Sequence, residues 1–429
     1  MAEPLDLDAR LSVEHDLDLN LFVEAGAGTG KTTTLVKRVV RLFATGRLEE
    51  PRQLAAITFT EAAASELRDR IRARLEAAGS STEGLDDPVE RALCAAAAAR
   101  IDEATITTLH GFAQRILAER PIAAGLPPAF EVEEGIVAEI EALERWSGFV
   151  GELLADPELE PLLELAVTLG LRLDRLQEIA QRMKERWHQL PEAAGPPPVP
   201  DLRVELGPVV AHLRAAVALL GGRDVSDPDD GLVAILSSVR DTVLPRFEAA
   251  VASGDELEMA RCLDELSWRR TGGTQGVWGK AGKAEVVHHL TEAARLQDEH
   301  LAALRTTIME ALLPRVTAFT LDWADERRRL GRLHFHDLLV LAQRLLWSDA
   351  TVRRELADRW RVLLVDEFQD TDPLQVELVF ALAAADPAAL PRAGCWSWAI
   401  PSSRSTASAA PTSPSGTAPG SASAAPSSP

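Results

Sequence analysis

A short apolar run, Leu19 to Glu24, leads into Ala25-Gly26-Ala27-Gly28-Thr29-Gly30-Lys31-Thr32, and a helical stretch from Lys31 to Ala44 follows. Strand, small-residue loop and helix in that order constrain the fold more than any other feature. A strand followed at once by a helix returns to a parallel neighbour, so the unit commits the chain to a parallel sheet covered by helices. The small side chains let backbone N–H groups curl round a phosphate, and the helix N-terminus adds positive potential. The closing Gly-Lys-Thr fits a Walker A phosphate loop, with Ala25 in the first glycine position. Lys31 then reaches the β- and γ-phosphates and Thr32 offers its hydroxyl to Mg²⁺, with Thr33 completing the nucleotide-contacting stretch. A glycine turn without a ligand is the alternative, and the strand–loop–helix context disfavours it.

The alternation continues. Leu54 to Phe59 is a second apolar run, followed by a helix from Glu61 to Glu76; Ala104 to Thr107 is a third, followed by a helix from Gly111 to Arg120. From about 121 to 330 the apolar residues recur at three-to-four spacing, as in Val137 to Trp146 and Leu301 to Leu313, which predicts helices. Leu190 to Pro200 and Gly221 to Gly231 break that pattern. Arg361 to Val365 then reads as a buried strand and Pro373 to Ala384 as a helix. The expected architecture is α/β: residues 1–120 and 331–390 form one nucleotide-binding domain with a parallel sheet, interrupted by a helical insertion over 121–330.

Val362 to Val365 ends in Asp366-Glu367. A carboxylate at the tip of a buried strand points at the ligand crevice of an open α/β sheet. Asp366 is expected to hold Mg²⁺, and Glu367 to orient and deprotonate an attacking water. A solvated pair at a strand end is the alternative, improbable beside a phosphate loop.

With 45 Lys and Arg against 66 Asp and Glu, the net charge is −21. That argues against coating nucleic acid by bulk electrostatics, but not against gripping a strand with a few placed groups. Cys94, Cys262 and Cys395 offer no metal spacing. Met1 to Arg10 is acidic and lacks the apolar core of a secretory signal, and no run approaches the roughly 18 apolar residues of a membrane span. The expectation is a cytoplasmic chain without membrane association. Trp268-Arg269-Arg270-Thr271-Gly272-Gly273 through Trp278, Lys280 and Lys283 is a basic, aromatic patch, read either as a DNA contact or as a plain surface loop.

Together these residues resemble the superfamily 1A DNA helicases, the UvrD/Rep and RecB/AddA group. Asp366-Glu367-Phe368-Gln369-Asp370-Thr371 is that group's form of the acidic motif. Thr58 to Leu67 resembles motif Ia, Thr108-Leu109-His110-Gly111-Phe112 resembles motif Ib, and Phe335-His336-Asp337-Leu338-Leu339 resembles the stretch upstream of the acidic motif. Val23-Glu24 before the loop leans toward the RecB/AddA branch. The resemblance implies ATP and Mg²⁺ as cofactors, Lys31, Glu367 and Gln369 as catalytic residues, and Gln369 as sensor of the γ-phosphate. It implies single-stranded DNA contacts at Thr58, Phe59, Thr60, Thr108 and His110, with core packing the competing reading for Phe59 and Phe112. It implies an ATP-driven 3′-to-5′ translocase acting on single-stranded and duplex DNA in repair or recombination, partnered by a nuclease or recombination protein. The helical middle corresponds to the inserted subdomain 1B. Met1 to Asn20 lacks the glutamine with which the family reads adenine. A non-catalytic ATP- or DNA-binding module and a P-loop kinase are the rival readings; intact Lys31, Asp366 and Glu367 oppose the first and the Asp-Glu-Phe-Gln-Asp string the second.

Residues 391–429 are of another kind. They contain no Asp or Glu, and Arg392 and Arg404 are their only charges. Trp396 to Ser413, written in one permitted set of codons and read two bases later, gives V-L-G-D-P-K-Q-S-I-Y-R-F-R-R-A-D, which resembles the family's motif III. The expectation is a disordered tail translated out of frame, and a chain without the second motor domain that should not unwind DNA alone. The sheet should then lack its central strand, with Gly394 to Ile400 the one apolar stretch able to substitute.

Overall fold

The computed structural model describes the chain except residues 1–6, 25–29, 81–84, 134, 192–197, 199, 201–202, 222–229, 269–272, 367–372, 384–394, 400–407 and 412–429. By contacts the chain forms two compact units, 1–133 with 328–429, and 134–327. Pro121 to Glu133 and Arg328 to Leu330 thus group with the sheet rather than with the middle.

The first unit opens with helix α1 (Leu7–His15), strand β1 (Leu21–Glu24) and helix α2 (Lys31–Ala44). It continues through β2 (Leu54–Thr58), α3 (Glu61–Gly79), α4 (Pro88–Ala99), β3 (Thr105–Thr108), α5 (Leu109–Glu119) and β4 (Glu131–Val132). The sequence patterning gave no hint of α1. It is fastened by Arg38 of α2, a buried cation whose guanidinium donates to the Val13 and Asp16 carbonyls. Burial lowers its pKa to about 9, against the pull of Asp16 and Asp18.

The second unit holds α6 (Ile136–Ala155), α7 (Glu160–Thr168), α8 (Leu173–Lys184), α9 (Gly207–Ala218), α10 (Gly231–Ser238), α11 (Leu244–Ser253), α12 (Glu256–Glu265) and the long α13 (Gln275–Leu330), broken at Gly279. Its described elements are all helical. Their shared core includes Leu162, Leu213, Leu236, Phe247 and Val286. Trp268 and Trp278 belong to that core too, so neither indole is placed to stack on a base. Trp278 instead donates its indole N–H to Asp230, the buried N-cap of α10, at 3.1 Å. The loop residues Arg269 to Gly272 lie outside the described residues.

The chain re-enters the first unit at β5 (Arg332–Leu333), which pairs in parallel with β4 and so closes the two crossing points against each other. Then come α14 (Phe335–Ser348), α15 (Ala350–Arg359), β6 (Val362–Val365), α16 (Pro373–Ala383), β7 (Cys395–Ala399) and β8 (Ser408–Pro411). The strand order is β3-β2-β6-β7-β1-β8. All neighbours are parallel except β8, which runs antiparallel to β1. The β2 and β6 strands are buried at every residue, as a parallel sheet between helices requires.

Two stretches of 391–429 are therefore strands. β7 fills the central position, pairing Leu21 with Trp396 on one side and Leu364 with Trp396 on the other. Backbone hydrogen bonding does not read sequence, and a gap between β1 and β6 leaves two rows of N–H and C=O groups to be paired. The stretch expected as a substitute occupies that gap. Among the described residues no helix is long and apolar enough to cross a membrane.

Candidate nucleotide and nucleic-acid site

Because β1, β2, β3 and β6 are parallel, the loops leaving their carboxyl ends lie along one edge of the sheet. The strand order divides that edge. The ends of β3 and β2, carrying Thr108 and Thr58 to Thr60, occupy one half; the ends of β6 and β1, carrying Asp366 and Glu24, occupy the other.

Ala25 to Thr29 lie outside the described residues, as do Glu367 and Gln369. The described end of the loop is Gly30, at φ 82° and ψ 26°, the N-cap of α2. That left-handed conformation is one a residue with a Cβ rarely adopts, and it turns the chain straight into the helix. Among the described residues no side-chain cap hydrogen bond is made at the Gly30 N-cap of α2, so the helix N-terminus keeps backbone N–H groups free of such a cap. Lys31 and Thr32 are half-buried in the first turn and Thr33 is exposed, while the Lys31 ammonium is shielded from solvent. Thr34 turns inward and its N–H donates to the Gly30 carbonyl at 3.1 Å.

Asp366 follows the buried β6 and is half-buried. Its backbone N–H donates to the Ile57 carbonyl at 2.8 Å, extending the β2–β6 pairing one residue beyond the strand. The acidic tip of one half of the edge is thereby tied to the strand that carries Phe59 in the other.

On that other half, Phe59 is 66% exposed. Thr58 is buried, and its hydroxyl donates to the Thr60 carbonyl at 3.0 Å, so it shapes the turn rather than facing outward. Thr60 is exposed and caps α3, accepting from the Ala63 N–H. Thr108 caps α5, accepting from the Gly111 N–H, and donates to Glu61 at 2.8 Å, which binds the starts of α3 and α5 together. A Cβ on Gly111 would collide with the Thr107 hydroxyl, so glycine is needed there by close approach. Phe112 is fully buried against Trp360, with ring centroids 4.7 Å apart, and Trp360 donates to Thr105. His110 is half-buried and meets Phe335 edge-on at 5.1 Å.

Phe335 opens the stretch that resembles the one upstream of the acidic motif, and the sequence pattern assigns it no contact of its own. It is 44% exposed and stands beside the candidate strand-contacting His110. Its neighbour Asp337 is buried and caps its own helix, accepting from the His334 N–H at 2.9 Å, so that carboxylate is structural.

Compared with known proteins, the chain is 26% identical to an ATP-dependent helicase/nuclease protein of Levilactobacillus brevis, aligned over 87% of this chain and 32% of that protein. It is 28% identical to the protein of the same description in Moorella thermoacetica, over 86% of this chain and 29% of that protein. Against the RecB component of the RecBCD enzyme of Escherichia coli it is 27% identical, over 83% and 32%. The chain spans about a third of the length of these relatives. The family model described as the UvrD/REP helicase N-terminal domain matches residues 5–390, and on that match the chain belongs to the UvrD/REP helicase family.

Proposed function

We propose that this chain is the ATP-binding part of a 3′-to-5′ DNA helicase or translocase of repair or recombination, of the same kind as the RecB/AddA helicase–nuclease proteins. One observation carries the reading. Lys31 at the start of α2 and Asp366 at the tip of β6 lie on one edge of a parallel sheet, and the exposed Phe59 follows β2, the strand beside β6, on that same edge. The helical 134–327 unit corresponds to an inserted subdomain 1B.

The donor chemistry suits Mg²⁺. Thr32 gives a hydroxyl and Asp366 a carboxylate, both hard oxygen donors. Among the described residues no group of three His, Cys, Asp or Glu side chains forms a metal cage. Magnesium in such sites is held by one or two protein oxygens together with the nucleotide's own phosphates, where it neutralises charge on the transferring group. Lys31 binds the β- and γ-phosphates, Glu367 orients the attacking water and takes its proton, and Gln369 senses the γ-phosphate. Phe59 stacks on a base and Thr60 and His110 flank the strand, a mode indifferent to sequence.

Efficient hydrolysis in this family needs charge-stabilising arginines from a second motor domain, and such residues are worth about 10³ to 10⁵ in rate. The residues that match the family end at 390. The purified 429-residue chain is therefore expected to bind Mg·ATP weakly and to leave a forked duplex intact; robust DNA-stimulated hydrolysis with unwinding would contradict this. Residues 391–429 are read as out-of-frame translation. Sequencing the gene beyond codon 386 checks that directly, and an intact locus with no motif III in any frame ends it.

A further inference from the structure

Helix α6 is apolar on two sides, and the chain covers one of them. On the covered side Trp146 and Leu153 are buried, and Phe149 stacks on Phe319 of α13 with centroids 4.6 Å apart. Arg145, the one base of α6, is engaged by Glu326 of α13.

The other side carries a second row. Ile136, Ile140, Leu143, Ser147, Gly151 and Leu154 follow each other at steps of three and four, so they share one face of the helix. Ile136 is 74% exposed, Ile140 51%, Leu143 55% and Leu154 58%. Scattered exposed aliphatics are ordinary; a continuous row along a helix, rimmed by charge, marks a contact surface.

Gly151 sharpens this. Glycine in a helix interior is disfavoured against alanine. Among the described residues a Cβ at Gly151 would meet nothing within 4 Å, so their packing does not require its absence. Ser147, one turn earlier, is also small and exposed. The row is therefore bulky at its two ends and notched in the middle, the relief that admits another helix at close approach.

The rim selects the occupant. Glu139 flanks the row on one side and Glu144 on the other, and both are exposed. Phosphate backbones are repelled by such a rim. A second copy would bring the same acids to a self-complementary contact and set like charges together. A helix with an apolar ridge and Lys or Arg beside it satisfies both row and rim. We propose that the outer face of α6 docks a basic amphipathic helix of a partner protein, seated across Ser147 and Gly151.

The test uses the full chain and a fluorescent synthetic Leu/Lys amphipathic helical peptide, beside a Leu/Glu peptide of the same apolar pattern. The Leu/Lys peptide is expected to bind at least about tenfold tighter than the Leu/Glu peptide. Gly151→Leu, which fills the notch, and Ile140→Gln with Leu143→Gln, which strip the row, are each expected to weaken it by about tenfold or more. The Gly151→Leu chain should melt at the same temperature or higher, because leucine favours a helix over glycine, so a loss of binding is not a loss of fold. Equal binding by wild type and both variants would mean bulk attraction to an acidic chain, and would overturn the proposal. So would dimerisation in sedimentation, or capture by anionic phosphatidylserine vesicles, when either is abolished by the Ile140→Gln and Leu143→Gln pair.

Discussion

Phe59 and Phe112 carry the same side chain in adjacent motifs and do opposite things. Phe112 lies with Leu109, Ala113, Ile116 and Leu117 on the buried face of α5, which decides for core packing the choice that the sequence left open. Phe59 stands alone after a strand, where spacing says nothing, and its exposure emerges only from the fold. Phe112→Ala is expected to cost about 3–5 kcal/mol of stability. Phe59→Ala should leave stability within about 0.5 kcal/mol and weaken single-stranded DNA binding by about 1–3 kcal/mol. Chemical denaturation and fluorescence anisotropy with an oligonucleotide separate the two. Asp230 shows what the sequence hides altogether. Burial pushes its carboxyl up, but hydrogen bonds from Thr274, Trp278 and Val233 outweigh this and hold the pKa down at about 2. A carboxyl so depressed stabilises the fold above its unfolded value and loses that contribution as pH falls through about 2. Asp230→Ala should therefore destabilise the helical unit by about 2–4 kcal/mol at neutral pH, with the difference from wild type shrinking in strong acid.

At the scale of elements, the βα units were legible because each strand ends in a recognisable loop and each loop opens a helix. Leu19 to Glu24 and Arg361 to Val365 contain the observed β1 and β6. α1 was not legible, because its anchor is a buried arginine on another helix and no local pattern encodes that. The burial of Trp268 and Trp278 was not legible for a related reason: nearby Arg and Lys suggest a surface, while the helical core decides where the indoles go. Close approach is equally invisible in sequence. Gly111→Ala is expected to cost about 1–3 kcal/mol, because the added Cβ collides with Thr107 at the end of β3. A thermal melt measures this. An unchanged melting temperature would mean the α5–β3 corner relaxes freely.

For the whole molecule, the order β3-β2-β6-β7-β1 makes residues of foreign composition the middle of the sheet. With β7 paired on both sides, a chain ending at 390 opens two strand edges between β6 and β1. It should melt several degrees lower than the full chain and aggregate sooner; equal melting curves would show that the tail contributes nothing to the sheet. The proposed ATP-binding role rests most directly on nucleotide binding through Lys31. Titration of a fluorescent ATP analogue in Mg²⁺ is expected to show saturable binding by the 429-residue chain and a loss of at least about tenfold in Lys31→Ala. Equal binding by the two chains, or none by wild type at millimolar nucleotide, would contradict the account.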